Sequence, residues 1–264
     1  MVRRELAYKL ETKSTPAQIE QREKILRLFQ DRPLPDEHLL INLGLYMRSS
    51  ALAKILFMNE LYQYILDIPG VIMEFGVWWG QNLILSENLR AIYEPFNQTR
   101  RVIGFDTFSG YTSFSDKDQT NKEGGFTSYA EVVKEGGYSV SEGYRSYLEE
   151  AIAAHEGNNV LGNIRKHKVI EGDVVDTVPE FFKENPETMV ALAYFDLALY
   201  KPTKVCLESV LPHLLPGSLI VLDEFNFPEA PGETIAFREV FRDVKYRIRK
   251  SKYITDKTLV FFER

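Results

Sequence analysis

Acidic residues recur in this chain where short apolar runs end. Glu74 sits in Glu74-Phe75-Gly76-Val77-Trp78-Trp79-Gly80, directly after Val71-Ile72-Met73. Gly76 and Gly80 let a backbone turn tightly and approach a ligand at the start of the following helix; a plain strand–helix turn uses the same residues. The dinucleotide spacing G-x-G-x-x-G is absent, which disfavours a nicotinamide enzyme. Asp106 follows Gly104-Phe105, where a carboxylate can accept both ribose hydroxyls of an adenosine group or simply cap a turn. The glycine turn and the later acid are more specific together than either alone. Glu171-Gly172-Asp173 offers a third acid, which can take an adenine amino group or belong to an ordinary loop.

Asp196 closes a fourth run, and Asp223-Glu224 closes a fifth. If the runs are parallel strands, these three carboxylates meet at one sheet edge. Clustered carboxylates repel, and a hard cation with oxygen ligands such as Mg²⁺ relieves that. Three separately solvated acids are the plainer reading. His38, His155, His167 and His213 show no metal-like spacing. His155 alone, beside an irregular stretch, is kept as a catalytic candidate. Trp78 and Trp79 can flank a ligand or pack, and Cys206, with no local base, reads as a buried structural thiol.

Positioning such acids requires an α/β frame. The runs 71–75, 101–105, 167–170, 189–195 and 218–222 lack clean alternation, as parallel strands buried on both faces do. Helical stretches separate them, which implies βαβ units and a doubly wound, mostly parallel sheet. Val244–Arg249 and Thr258–Phe262 alternate around a polar connection, predicting an antiparallel C-terminal hairpin and seven strands in all. Ahead of the sheet, Ile19–Phe29 and Leu43–Leu66 carry helical stripes, stopped at Pro69-Gly70. The expected organisation is a helical extension over 1–69 and one domain over 70–264. Within it, Tyr111–Asn163 is punctuated by glycines and tyrosines and contains a helix near Ser141–Ala154; a long insertion of this kind is usually a lid.

With 264 residues, 44% hydrophobic, the chain can build one large core. Its net charge of -6 argues against nucleic acid as a partner. One cysteine cannot form an internal disulfide, the charged N-terminus leads into no apolar run, and no stretch nears the ~20 apolar residues of a membrane helix. These features predict a cytoplasmic protein without a membrane partner and leave a homo-oligomer open.

The segments combine into a known pattern. Ile68-Pro69-Gly70-Val71-Ile72-Met73-Glu74-Phe75-Gly76-Val77-Trp78 and Gly104-Phe105-Asp106-Thr107-Phe108-Ser109-Gly110 resemble the first two motifs of the macrocin O-methyltransferase family. Asp176-Thr177-Val178-Pro179, Asp196 with Leu199-Tyr200-Lys201-Pro202-Thr203, and Leu215–Glu224 with Pro231-Gly232 resemble the rest. The resemblance implies a class I S-adenosylmethionine-dependent, Mg²⁺-dependent O-methyltransferase acting on a sugar or another small-molecule hydroxyl in natural-product or glycan biosynthesis. It implies that Glu74, Gly76, Gly80, Asp106, Thr107 and Asp173 hold the cofactor. Asp196, Asp223 and Glu224 would hold the metal, with Asp196 also catalytic, and Tyr129, Tyr138, Tyr144 and Tyr147 would be available to stack on the acceptor. Members usually carry D-x-D-x-Y in the fourth motif, the second acid being a proposed base; here that position is Ala198. A binding protein without turnover, or another nucleotide-dependent enzyme on the same sheet, remains the alternative.

Overall fold

The computed structural model describes residues 14–118, 134–228 and 230–263. Helix α1 (Pro16–Gln30) opens on a capping box in which Thr15 and Gln18 satisfy each other's backbone amides, with Pro16 in the first turn. A short helix α2 (Asp36–Leu39) runs into a 3₁₀ stretch (Leu40–Tyr46), and the chain bends by 93° before α3 (Ser49–Tyr64). The residues from 16 to 46 bury no side chain, whereas α3 seats Phe57, Met58, Leu61 and Tyr62 in the core. The stretch read as one helical extension thus divides at Arg48 into an arm and a helix of the domain.

Seven strands follow: β1 (Val71–Phe75), β2 (Val102–Asp106), β3 (His167–Glu171), β4 (Val190–Phe195), β5 (Leu214–Leu222), β6 (Tyr246–Lys250) and β7 (Thr258–Phe262). They form one sheet in the order β3-β2-β1-β4-β5-β7-β6. The first five are parallel, and β7 pairs antiparallel with both β5 and β6. This is the doubly wound sheet with a C-terminal hairpin expected from the sequence. Every residue of β1 and β4 is buried, which is why neither run alternates. β5 starts at Leu214, four residues before the expected Ser218, because Leu214 already pairs with Val190 ahead of a register shift.

Helices cover both faces. On one, α3, α4 (Gln81–Tyr93) and α5 (Tyr144–Gly157) pack Phe57, Leu61, Leu83, Leu148 and Ile152 over Ile72, Val102 and Leu192. On the other, α6 (Val174–Glu184), α7 (Tyr200–Val210) and α8 (Pro231–Val240) pack Phe181, Cys206, Leu207 and Phe237 over Phe75, Phe105 and Phe195. Strand order reverses between β1 and β4, and ligands bind at such a switch point, outside the carboxyl ends of the strands.

Candidate active site

A cleft of about 830 Å³ opens at that edge. Gly76 after β1, Asp106 at the end of β2, Asp173 after β3, Asp196 after β4, and Asp223 and Glu224 after β5 all line it, and so does Thr107. Parallel strands deliver their ends to one side, so acids as far apart in sequence as Asp106 and Glu224 become neighbours.

Each position has a local cause. Gly76 has φ +88°, and a Cβ there would fall on the Asp196 carbonyl, so the turns after β1 and β4 touch through glycine alone. Gly80 does not line the cleft. It caps α4 at φ +76°, and its missing side chain makes room for Leu148. Asp106 accepts the amides of Val77 (2.6 Å) and Trp78 (2.7 Å) on Oδ2 and that of Phe108 (2.6 Å) on Oδ1. It thereby fixes the glycine turn, and its carboxylate keeps lone pairs for further donors. Thr107 donates to the Gly110 carbonyl at 2.8 Å. Asp173 caps α6 through Val175 and accepts the hydroxyls of Thr112 and Ser113. Burial would raise its carboxyl, but the Val175 amide and those two hydroxyls outweigh it and hold the group below the usual range.

Glu74 is buried behind the cleft and accepts from Asn82 Nδ2 at 2.7 Å. Burial first, with help from the charges of Asp196 and Asp106, holds its carboxyl well above the usual range. Its Oε2 has no hydrogen-bond partner among the described residues. An orphaned buried carboxyl oxygen normally signals a missing donor.

Asp196, Asp223 and Glu224 each present an oxygen within 4.8 Å of the others. Burial, then the Asp223 charge, pushes Asp196 up to about 7. Burial and the same two acids raise Glu224 well above its ordinary value. Sequence reasoning overlooked three groups around this cluster. Lys257 Nζ lies 2.5 Å from Asp223 Oδ2, and Tyr194 donates its hydroxyl to Asp223 Oδ1 at 2.6 Å. Lys54, from α3, donates to that same hydroxyl at 3.2 Å. Tyr111 lines the cleft as well, and burial followed by the charges of Glu224 and Asp196 keeps its hydroxyl neutral. No local pattern marks Lys257; only the pairing of the next residue, Thr258, with Leu222 brings it beside Asp223.

His155 requires a correction. It is exposed in the last turn of α5, next to Glu156, whose carboxylate holds His167 Nδ1 at 2.9 Å at the start of β3. That is the opposite edge of the sheet from the cleft, so His155 cannot reach a reacting group. Trp78 lines the cleft edge-on to Tyr138, whereas Trp79 packs on Tyr144. Tyr144 donates to the Trp79 carbonyl, Tyr147 is exposed, and Tyr129 lies outside the described residues, as does residues 119–133 of the expected lid. Cys206 is fully buried, and burial pushes its thiol up, as befits a structural residue. Ala198 is buried at φ +58°, in a tight turn closed by the Leu199 amide on the Leu197 carbonyl at 2.6 Å.

Known proteins share this architecture. The crystal structure of the calicheamicin methyltransferase CalS11 is 37% identical, with a TM-score of 0.84 over 97% of each chain. Its apo structure, described as a TDP-rhamnose 3'-O-methyltransferase, is 36% identical with a TM-score of 0.78, over 95% of this chain and 96% of that one. Two curated relatives match over shorter stretches. The 8-demethyl-8-(2,3-dimethoxy-alpha-L-rhamnosyl)-tetracenomycin-C 4'-O-methyltransferase of Streptomyces olivaceus is 27% identical over 60% of this chain. Mycinamicin III 3''-O-methyltransferase of Micromonospora griseorubida is 24% identical over 65%. The matches span 54% and 61% of those two proteins, so the chain covers under two thirds of the curated relatives' length. The model of the macrocin-O-methyltransferase (TylF) family matches residues 57–264, and the chain belongs to that family.

Proposed function

We propose that this chain is an S-adenosylmethionine-dependent O-methyltransferase whose acceptor is a sugar hydroxyl, assisted by a divalent cation such as Mg²⁺. The observation that carries the reading is the convergence of Asp196, Asp223 and Glu224 in the same cleft as Gly76 and Asp106. The residues fit both groups. The orphaned Glu74 Oε2 lacks a donor that a cofactor ammonium would supply, Asp106 retains lone pairs that ribose hydroxyls would use, and Asp173, in the same cleft, would take the adenine amino group. The three carboxylates form an all-oxygen set of the kind hard cations take.

The cofactor supplies a methyl group already activated on a sulfonium. The cation supplies Lewis acidity that lowers the pKa of the hydroxyl it touches. The chain does the rest. The turns at Gly76 and Asp196 bring the acceptor side of the cleft against the cofactor side, and such positioning can remove much of the barrier to a displacement between two bound reactants. Trp78, Tyr111 and Tyr138 line the wall with aromatic surface. Lys257 and Lys54 offset charge around Asp223 and Tyr194, so the cluster is not left as bare repulsion. With Ala198 lacking a carboxylate and His155 on the far edge, Asp196 is the acid of the expected set left to receive the hydroxyl proton.

Among acceptor forms, a nucleotide-linked sugar is favoured, because the likeness spanning nearly the whole chain is to a protein described as a TDP-rhamnose methyltransferase. Lys250 in the cleft wall supplies a cation for a diphosphate. The test is methyl transfer to TDP-rhamnose and to rhamnosylated glycosides, each with Mg²⁺ and with excess chelator. Transfer to TDP-rhamnose only when Mg²⁺ is present is expected. Full activity in chelator removes the metal; transfer to glycosides alone removes the nucleotide sugar.

A further inference from the structure

We propose that Asp118 is a positioning residue for methyl transfer: by capping α7 from a distant segment, it holds the tight turn that aims Asp196 into the cleft. The proposal rests on the reading of Asp196 as a residue of the transfer site. The turn from Asp196 to Leu199 is one that its own residues do not favour. Ala198 has φ +58°, a conformation alanine adopts rarely. Such a residue keeps its place only where the surroundings fix it. On the β4 side, the Asp196 amide donates to the Phe75 carbonyl at 2.9 Å. On the α7 side, the cap residue Leu199 has no side chain that can accept a first-turn amide.

Asp118 supplies that acceptor from 82 residues away in the chain, its Oδ1 taking the Tyr200 amide at 2.6 Å. Its Oδ2 takes the amide and the hydroxyl of Ser115, both at 2.8 Å, which keeps the carboxylate from turning away. Gly232, in the first turn of α8, makes the space: a Cβ there would stand 2.2 Å from Asp118 Oδ1. Lys117 fastens the same segment again, donating to the Tyr200 hydroxyl at 2.8 Å and to Glu239 Oε1 of α8 at 2.6 Å. A few residues earlier, Thr112 and Ser113 donate to Asp173. One stretch of chain therefore meets both the Asp173 end of the cleft and the helix that follows Asp196. Removing the Asp118 carboxylate takes the acceptor from the Tyr200 amide and lets the turn relax toward conformations that alanine prefers.

The test compares wild type, Asp118→Ala and Asp118→Ala/Ala198→Gly. Glycine takes positive φ without strain, so the turn of the double variant no longer needs the clamp. In Asp118→Ala, kcat for the sugar acceptor should fall by roughly 10²-fold, the effect of a misplacement of about 1 Å. The calorimetric dissociation constant of S-adenosylmethionine should stay within about threefold, because Glu74, Gly76 and Asp106 lie on other elements. The Leu199 amide, which closes the turn on the Leu197 carbonyl, should exchange its hydrogen roughly tenfold faster by NMR. Adding Ala198→Gly should restore most of both losses. The exchange measurement needs no acceptor: if the wild type methylates no sugar, the site reading fails, and exchange still decides whether Asp118 holds the turn. A lower melting temperature with kcat and Leu199 exchange unchanged makes Asp118 a stabilising contact alone and overturns the proposal. So does a double variant that recovers neither.

Discussion

At position 198 the backbone and the side chain make different demands. A φ of +58° is one that aspartate and asparagine adopt several-fold more often than other non-glycine residues, yet the residue is alanine. The turn therefore keeps a conformation suited to the acid that the family resemblance places there. Ala198→Asp should fold and should raise turnover on sugar hydroxyls by roughly 10²-fold, the size of a general-base contribution. Steady-state kinetics with a thermal melt check it: an unchanged melt without any gain in turnover removes the base role from this position. Two residues earlier, Asp196 carries a different prediction. Burial and the Asp223 charge push it up to about 7, against about 3.9 in an unfolded chain. Between those values the folded form holds a proton the unfolded form has lost. Its contribution to stability is thus full below about pH 4 and disappears as pH rises through 7. A cation needs the carboxylate, so Mg²⁺ affinity should climb by up to roughly tenfold per unit below pH 7 and level off above it. Calorimetry at pH 6, 7 and 8 reads this, and a flat profile would falsify the assignment of Asp196 as a ligand.

Elements explain why some of this was readable and some was not. The β1 run 71–75 coincides with its strand, and β2, β3 and β4 lie within one residue of their runs, because strands buried on both faces are continuous apolar segments bounded by turns. Once those strands are parallel, their terminal acids must share an edge, so Asp106, Asp173, Asp196, Asp223 and Glu224 follow from topology without side-chain detail. Lys257, Tyr194 and Lys54 depend on register between elements far apart in the chain. Lys257 sat in a polar connection and Tyr194 inside an apolar run, and neither local pattern marks a charged partner. His155 failed for a reason that is itself topological. A helix leading into a parallel strand runs opposite to it, so the last turn of α5 must lie at the edge where β3 begins. Nearness in sequence to the Tyr111–Asn163 stretch outweighed that rule. The division at Arg48 between arm and domain was hidden too, since both halves carry helical apolar stripes and only burial separates them.

At the scale of the whole molecule, Arg100 helps tie the end of α3 to the sheet. Arg100 is 2% exposed, and its guanidinium donates to the carbonyls of Ile65, Ile68 and Gly70 and to the Glu94 carboxylate. Tyr62 of α3 donates to the same carboxylate, at 2.5 Å. The end of α3, the turn into β1 and the end of α4 therefore close on one buried cation, at the edge of the sheet remote from the cleft. Arg100→Met fills much of the volume but strands three carbonyls and a partly buried carboxylate. Breaking a buried charge pair in this way costs about 3–5 kcal/mol, against about 1 kcal/mol for an exposed one. For a domain of this size that is a drop in melting temperature of roughly 6–20 °C. The acids of the cleft are held by strand ends and backbone amides that Arg100 does not touch, so cofactor affinity per folded molecule should stay within about twofold. Thermal denaturation and calorimetry below the melt separate the two effects. A melt unchanged to within a degree would mean that water replaces the guanidinium; a large loss of affinity with the fold intact would mean that the clamp at one edge sets the geometry at the other.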